Sequence, residues 1–282
     1  MNVMMLLEMA SGAMADRTAV ECGDDRWTHG DLYAGAGRLA ARVRASNAEH
    51  LAILDESSPA VPLALFASGW AGKPFVPLNY RLTGAELDAL IERITPAVLV
   101  TDAERAAALA GRDGIEVIVR DEFLSHARQD TALPDPDWSM EPEDIAILLF
   151  TSGTTGTPKA AVLRHRHMVS YILGSVEFMA AAEEDGALVS VPPYHVAGMA
   201  AVLSSIYAGR RIVQLPAFSP DGWLEAAERG RVTNAFVVPT MLQRIVAEIE
   251  DKGASAPSAL RALAYGGGKM PLPVIDRAMN LF

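Results

Sequence analysis

The stretch LLFTSGTTGTPKAAVL, residues 148–163, runs from an apolar segment through Thr151 into Ser152, Gly153, Thr154, Thr155, Gly156 and Thr157, and closes on Pro158 and Lys159. Such a loop leaves backbone N–H groups outside any ladder, and its glycines let a polyanion approach that backbone closely. The hydroxyls add donors and Lys159 adds a charge-assisted contact, so the chemistry these residues fit is a phosphate grip. The nucleotide-hydrolase loop G-x-x-x-x-G-K-[ST] does not fit. Starting from Gly153, its second glycine falls on Pro158, and Ala160 stands where a magnesium-binding hydroxyl is needed.

Two further stretches could carry chemistry. In VPPYHVAGMAAVL, Tyr194 and His195 follow an apolar strand and directly precede a helix. A histidine there is either satisfied within a tight turn or presented to a ligand, and the pattern alone allows both. In LAYGGGKMP, the triplet Gly266, Gly267 and Gly268 follows a second strand; it is either a plain turn or bare backbone against which a flat ring stacks. The run Arg164, His165, Arg166, His167 is contiguous, which spreads the side chains around a helix start and argues for a solvated terminus over a metal site.

The totals limit the partners. With 24 Lys and Arg against 35 Asp and Glu, the formal charge of -11 repels nucleic acid and anionic membranes, so a phosphate ligand must be held by local donors. The single cysteine, Cys22, excludes an intrachain disulfide and a thiolate cluster, which suits a cytoplasmic protein. Near the start, MNVMMLLEMASGAMADR lacks a basic n-region and is interrupted by Glu8, so it reads as an amphipathic first helix and not as a signal peptide. The uncharged run from Gly186 to Gly209 is long enough to span a bilayer, yet its adjacent prolines and His195 argue for a buried strand, turn and helix.

The elements that must position these residues alternate as strand and helix, the pattern of an α/β protein with helices covering its sheets. Thr83 is expected to cap a helix running to about Arg93, with Glu86 three residues on, and a strand is expected at 97–101. After a strand at 145–150 and the hydroxyl loop, the pattern predicts helices near 166–182, 197–208, 220–229 and 240–251, and strands at 187–191, 211–215 and 234–238. Three prolines and four acidic residues in TALPDPDWSMEPE, residues 131–143, mark the expected boundary between a first subdomain, 1–137, and a second, 142–282.

TSGTTGTPK resembles the AMP-binding signature of the acyl-adenylate-forming superfamily at all nine positions, with Ala160 where the family usually has glycine. VPPYHVAGM, FVVPTML and YGGGKMP are similar to further family segments in the same order. The resemblance implies an α/β large N-terminal domain with sheets flanked by helices in two subdomains. It implies an acid–CoA ligase: a carboxylate attacks the α-phosphate of Mg-ATP, pyrophosphate leaves, and coenzyme A displaces AMP. On that reading residues 151–157 and Lys159 grip the triphosphate, His195 lies beside the carboxylate and gates the acyl pocket, Tyr194, Ala235, Phe236, Val237, Val238 and Thr240 line or wall it, and Gly266–Gly268 flank the adenine. No carboxylate in YHVAG could pair with an ammonium group, so an uncharged fatty or aromatic acid is expected over an α-amino acid. The family's Tyr-Gly-x-Thr-Glu motif, a ribose-binding aspartate, a hinge arginine and a late lysine do not occur in these 282 residues, so the chain is expected to lack the C-terminal domain and to be inactive alone. The other reading is a non-catalytic acid- or nucleotide-binding fragment or interaction module. Self-association is left open.

Overall fold

The computed structural model describes residues 1–151 and 159–282. Its first half contains α1 (Met4–Met14), β1 (Thr18–Cys22), β2 (Asp25–Thr28), α2 (His29–Ala45), β3 (His50–Leu54), α3 (Ala60–Ala71), β4 (Phe75–Pro77), α4 (Gly84–Ile94), β5 (Ala97–Thr101), α5 (Ala103–Leu109), β6 (Ile115–Val119) and α6 (Arg120–Ala127). Its second half contains β7 (Ile145–Thr151), β8 (Lys159–Arg164), α7 (His165–Ser175), β9 (Gly186–Val189), α8 (Val196–Ala208), β10 (Arg211–Gln214), α9 (Pro220–Arg229), β11 (Asn234–Val237), α10 (Pro239–Lys252), β12 (Ala262–Tyr265) and α11 (Leu272–Leu281).

Among the described residues the strands form two six-stranded sheets, in the orders β12-β11-β9-β10-β1-β2 and β6-β5-β3-β4-β7-β8. Each sheet is parallel except for an antiparallel strand at one edge, β2 beside β1 and β8 beside β7. Parallel strands buried on both faces must be apolar throughout, and Leu51-Ala52-Ile53-Leu54 and Ala97-Val98-Leu99-Val100 are. Alternate residues go to opposite sides. Leu51, Ile53, Val98 and Val100 face a core shared with α1, α2, α3, α7, α8 and the other sheet. Ala52, Leu54, Ala97 and Leu99 face α4 through Leu90, Ile91 and Ile94. On the far side of the first sheet, Val213, Ala235 and Val237 pack against Trp223 of α9, Leu242 and Ile245 of α10, and Val274 of α11. The central helices thus lie between the sheets, and α3, the innermost, has every residue buried.

The strand pairing crosses the expected division into 1–137 and 142–282. The β1–β2 hairpin joins the sheet built from the second half, and β7–β8 joins the sheet built from the first. Neither sheet would keep its edge if the chain were cut at 131–143. The physical reason is that a hairpin's edge strand terminates a parallel sheet with local hydrogen bonds, so each half closes the other's exposed edge. Helix boundaries agree closely with expectation except for α7, which stops at Ser175 instead of about residue 182. Thr83 precedes α4 as expected but makes no side-chain capping bond.

The run Arg164–His167 also departs from a solvated helix start. Arg166 and His167 are exposed, but His165 is 3% exposed, and its Nδ1 accepts a hydrogen bond from the Val3 N–H at 3.2 Å, fastening the first helix to the seventh. Burial is the main cause of a His165 pKa of about 4. His29 at the start of α2 is wholly buried, with neither ring nitrogen bonded to protein, and burial followed by the Arg17 charge also lowers its pKa to about 4.

Both imidazoles are neutral when folded, whereas an unfolded chain protonates them near 6.5. Their stabilisation is therefore complete above the unfolded value and lost as pH falls from 6.5 toward 4. Lowering pH from 7 to 5 should remove about 2 kcal/mol per group, read as a falling urea midpoint. A His29→Gln, His165→Asn double variant should flatten that dependence; an unchanged dependence would place its origin elsewhere.

Candidate functional site

Three neighbouring parallel strands deliver the candidate residues. In the order β12-β11-β9, their carboxyl ends lead into Gly266–Gly268, into Val238 and Thr240, and into the turn that carries Tyr194 and His195. Ligands of open α/β sheets bind in this kind of crevice, outside the carboxyl ends of the strands. The second sheet brings its own carboxyl ends to the same place. Tyr80 and Arg81 follow β4, while Thr151 ends β7.

The two edges touch through Tyr80 and Tyr194, whose rings meet edge to face with centroids 5.5 Å apart. Although it belongs to the turn after β9, Tyr194 is buried in the cluster of Leu78, Tyr80 and Leu90 on the other sheet. Arg105 donates to the Tyr80 carbonyl at 3.0 Å and holds that segment in turn. Burial is the main effect raising the Tyr194 hydroxyl's pKa, with the Arg81 charge opposing it, so the phenol remains a donor.

His195 is the N-cap residue of α8 but makes no side-chain cap bond, leaving its imidazole available. Its ring centroid lies 4.6 Å from that of Tyr194. The residue as a whole is exposed; partial desolvation of its ring, and secondarily the Arg81 charge, hold its pKa below the ordinary imidazole value. The turn that presents it is tight. A Cβ at Gly198 would come within 2.8 Å of the Pro192 carbonyl oxygen and 3.0 Å of that of Val191, so only glycine lets the helix begin this close to the turn.

His195, Tyr194, Val238 and Thr240 line one pocket of about 210 Å³, together with Arg81, Ser190 and Arg244. Phe236 does not join them. It lines a separate cavity of about 260 Å³ under α8 with Ala235, Ala264 and Tyr171, whereas Val238 lies beyond the end of β11, where the chain turns into α10. Val237 is wholly buried in the core beneath α10 and touches neither space.

Gly266–Gly268 continue the edge beyond β12. The Gly266 N–H donates to the Val237 carbonyl at 3.2 Å, and a Cβ there would press within 3.1 Å of the Phe236 ring. Gly267 has φ +81, a conformation that glycine adopts without strain. Bare backbone is thus laid across Phe236 and Val238, which a plain surface turn would not require.

Thr151 and Lys159 close the β7–β8 ladder as opposite partners, and the Thr151 Oγ1 donates to the Lys159 carbonyl at 3.4 Å. Ser152, Gly153, Thr154, Thr155, Gly156 and Thr157 lie outside the described residues. Sequence reasoning missed β8, and with it the antiparallel return that places Lys159 beside Thr151. It also missed Tyr80, Arg81, Ser190 and Arg244. For Tyr80 and Arg81 the signal was present: PLNYR follows an apolar strand directly, at the end where ligands bind. Among the described residues, no group of three or more His, Cys, Asp or Glu side chains could hold a metal ion. Nor is any helix among them long and apolar enough to cross a membrane.

The chain is similar to a feruloyl-CoA synthase from an Amycolatopsis species, 33% identical over 267 residues, covering 93% of this chain and 54% of that protein. It is similar to a 2-succinylbenzoate–CoA ligase from Bacillus pumilus, 27% identical over 266 residues, covering 93% and 53%. It therefore spans about half the length of the curated relatives it matches. Among solved structures, ATP-bound MatB from Rhodopseudomonas palustris superimposes with a TM-score of 0.81 at 27% identity, covering all of this chain and 58% of the other. The N-terminal domain of FACL13 from Mycobacterium tuberculosis gives a TM-score of 0.84 at 21% identity, covering 99% and 73%, a likeness of fold. The family model for AMP-binding enzymes matches residues 7–282, and the chain belongs to that family.

Proposed function

We propose that this chain forms the acid- and phosphate-binding part of an ATP-dependent acid–CoA ligase. The observation that carries the reading is the meeting of the two carboxyl edges at Tyr80 and Tyr194. It sets an available imidazole, His195, beside the pocket formed with Val238 and Thr240. Membership of the AMP-binding family and the CoA-ligase names of the relatives support it.

In this reading a carboxylate oxygen attacks the α-phosphorus of ATP, the bond to the bridging oxygen breaks, and pyrophosphate leaves with an acyl-adenylate formed. The CoA sulfur then attacks the acyl carbon and AMP departs. Lys159 and Thr151, with the hydroxyl and glycine residues 152–157, bind the departing phosphates, contributing fixed positive charge and donors where negative charge accumulates. His195, neutral at pH 7 because its pKa is lowered, donates a hydrogen bond to the carboxylate and orients it without neutralising the attacking oxygen. Tyr194 positions His195 through the ring contact. Gly266–Gly268 offer a flat backbone surface for the adenine. The acyl tail enters the cavity under α8, where Phe236 and Ala235 form its wall.

Two substitutions separate these roles. Calorimetric titration of ATP into the chain should give saturable binding that Lys159→Ala weakens by tenfold or more, in keeping with loss of a charged contact of about 1.5–3 kcal/mol. His195→Ala should instead weaken carboxylic acid binding and leave ATP affinity within about twofold. Absence of ATP binding, or equal affinity in the Lys159 variant, contradicts the phosphate assignment; undiminished acid binding without His195 contradicts the other.

A further inference from the structure

The cavity under α8 has a polar far end that an acid-binding pocket of purely apolar character would not need. Ala197, Ala200, Ala201, Ser204 and Ser205 line it at the spacing of a single helix face, and all are small. From Ala197 to Ser205 the helix advances ~12 Å, so the cavity is a channel running from the carboxyl edge of the sheet back toward its amino edge. Ala197 and Phe236 stand at the first end; Asn234 and Arg210 stand at the other.

Arg210 is placed there by its backbone, whose N–H donates to the Ser205 carbonyl at 2.8 Å just past the end of α8. Its neighbour Arg211 bonds Glu21 and the Gly230 carbonyl. Arg210 itself is half-buried, its Nε is shielded from water with no hydrogen-bond partner, and among the described residues no carboxylate pairs with it. A guanidinium is a rigid fork matched to an oxyanion, and leaving a buried donor unmatched is unfavourable. Arg210 thus brings a half-buried positive charge without an acid partner among the described residues to the lining of the cavity.

We infer that the substrate is a slender carboxylic acid whose tail ends in a second acidic group, bound by Arg210 at the far end of the cavity. This rests on the proposed acid-binding reading and narrows it. The absence of a carboxylate near His195 disfavours an ammonium-bearing tail, as expected from the sequence; Arg210 replaces the expected uncharged tail with an anionic one. The channel is about 260 Å³, room for one ring or a short chain between the two acid groups, and the alanine face excludes branching along its length. Arg210 sets specificity and touches no reacting atom.

Matched probes test this. Calorimetric titration of the chain should give 4-carboxycinnamate at least tenfold tighter than cinnamate. Arg210→Gln should bring the two to within about twofold of each other, whereas Arg210→Lys, which keeps the charge, should retain part of the preference. Thermal unfolding of each variant identifies any that fails to fold, and the comparison of probes on the unaltered chain stands without them. Cinnamate binding with no preference for the dicarboxylate, or tighter binding of 4-hydroxycinnamate than of 4-carboxycinnamate, overturns the assignment to Arg210 and leaves the acid-binding reading intact. If none of the three acids binds, both fall.

Discussion

The contact between Tyr80 and Tyr194 fixes how the two halves of the site face each other. Each ring comes from a loop at the carboxyl end of a different sheet, and each is buried in one shared cluster beside α4. A buried phenol held by an edge-to-face partner has little rotameric freedom. The residue that follows it, His195, therefore inherits a defined position although its own side chain is exposed. The constraint on the imidazole comes from the Tyr194 ring, 4.6 Å away between centroids, and through it from the other sheet.

The exchange of hairpins gives that contact its rigidity. Because β1–β2 completes one sheet and β7–β8 the other, the halves cannot separate without losing strand pairing as well as the shared core. The same exchange brings the end of β7 to the cluster that receives Tyr194: Leu148 and Phe150 pack against it, and Thr151 is the next residue. The end of β7 and the turn carrying Tyr194 and His195 are thus anchored to one group of side chains while being far apart in sequence.

Most of the secondary structure was legible because apolar runs, capping residues and glycines carry local signals. The strand 97–101 and the helix 220–229 have the expected bounds, and the glycine triplet lies at a strand end as its sequence suggested. What could not be read were choices made between distant segments. No local pattern distinguishes a strand that pairs within its own half from one that crosses to the other. Phe236 and Val238 are near in sequence, but Phe236 lies within β11 and lines the cavity under α8, while Val238 lies past the strand end at the start of α10 and lines the pocket of His195. His165 looked solvated because its neighbours are charged, whereas its position on α7 turns it toward the Val3 amide. Family likeness made the AMP-binding signature legible, yet Arg81 and Arg244 bear on the site only through folding.

The central claim is that the phosphate grip, the imidazole and the cavity under α8 serve one bound acyl-adenylate at the meeting of the two sheets. A crystal structure of the chain with a non-hydrolysable acyl-adenylate analogue tests it most directly. The account predicts the phosphoryl group beside Lys159, the acyl carbonyl within hydrogen-bond reach of His195, and the acyl tail under α8 pointing toward Arg210. An analogue bound with its acyl tail outside the α8 channel, or with its phosphoryl group remote from Lys159, would contradict it.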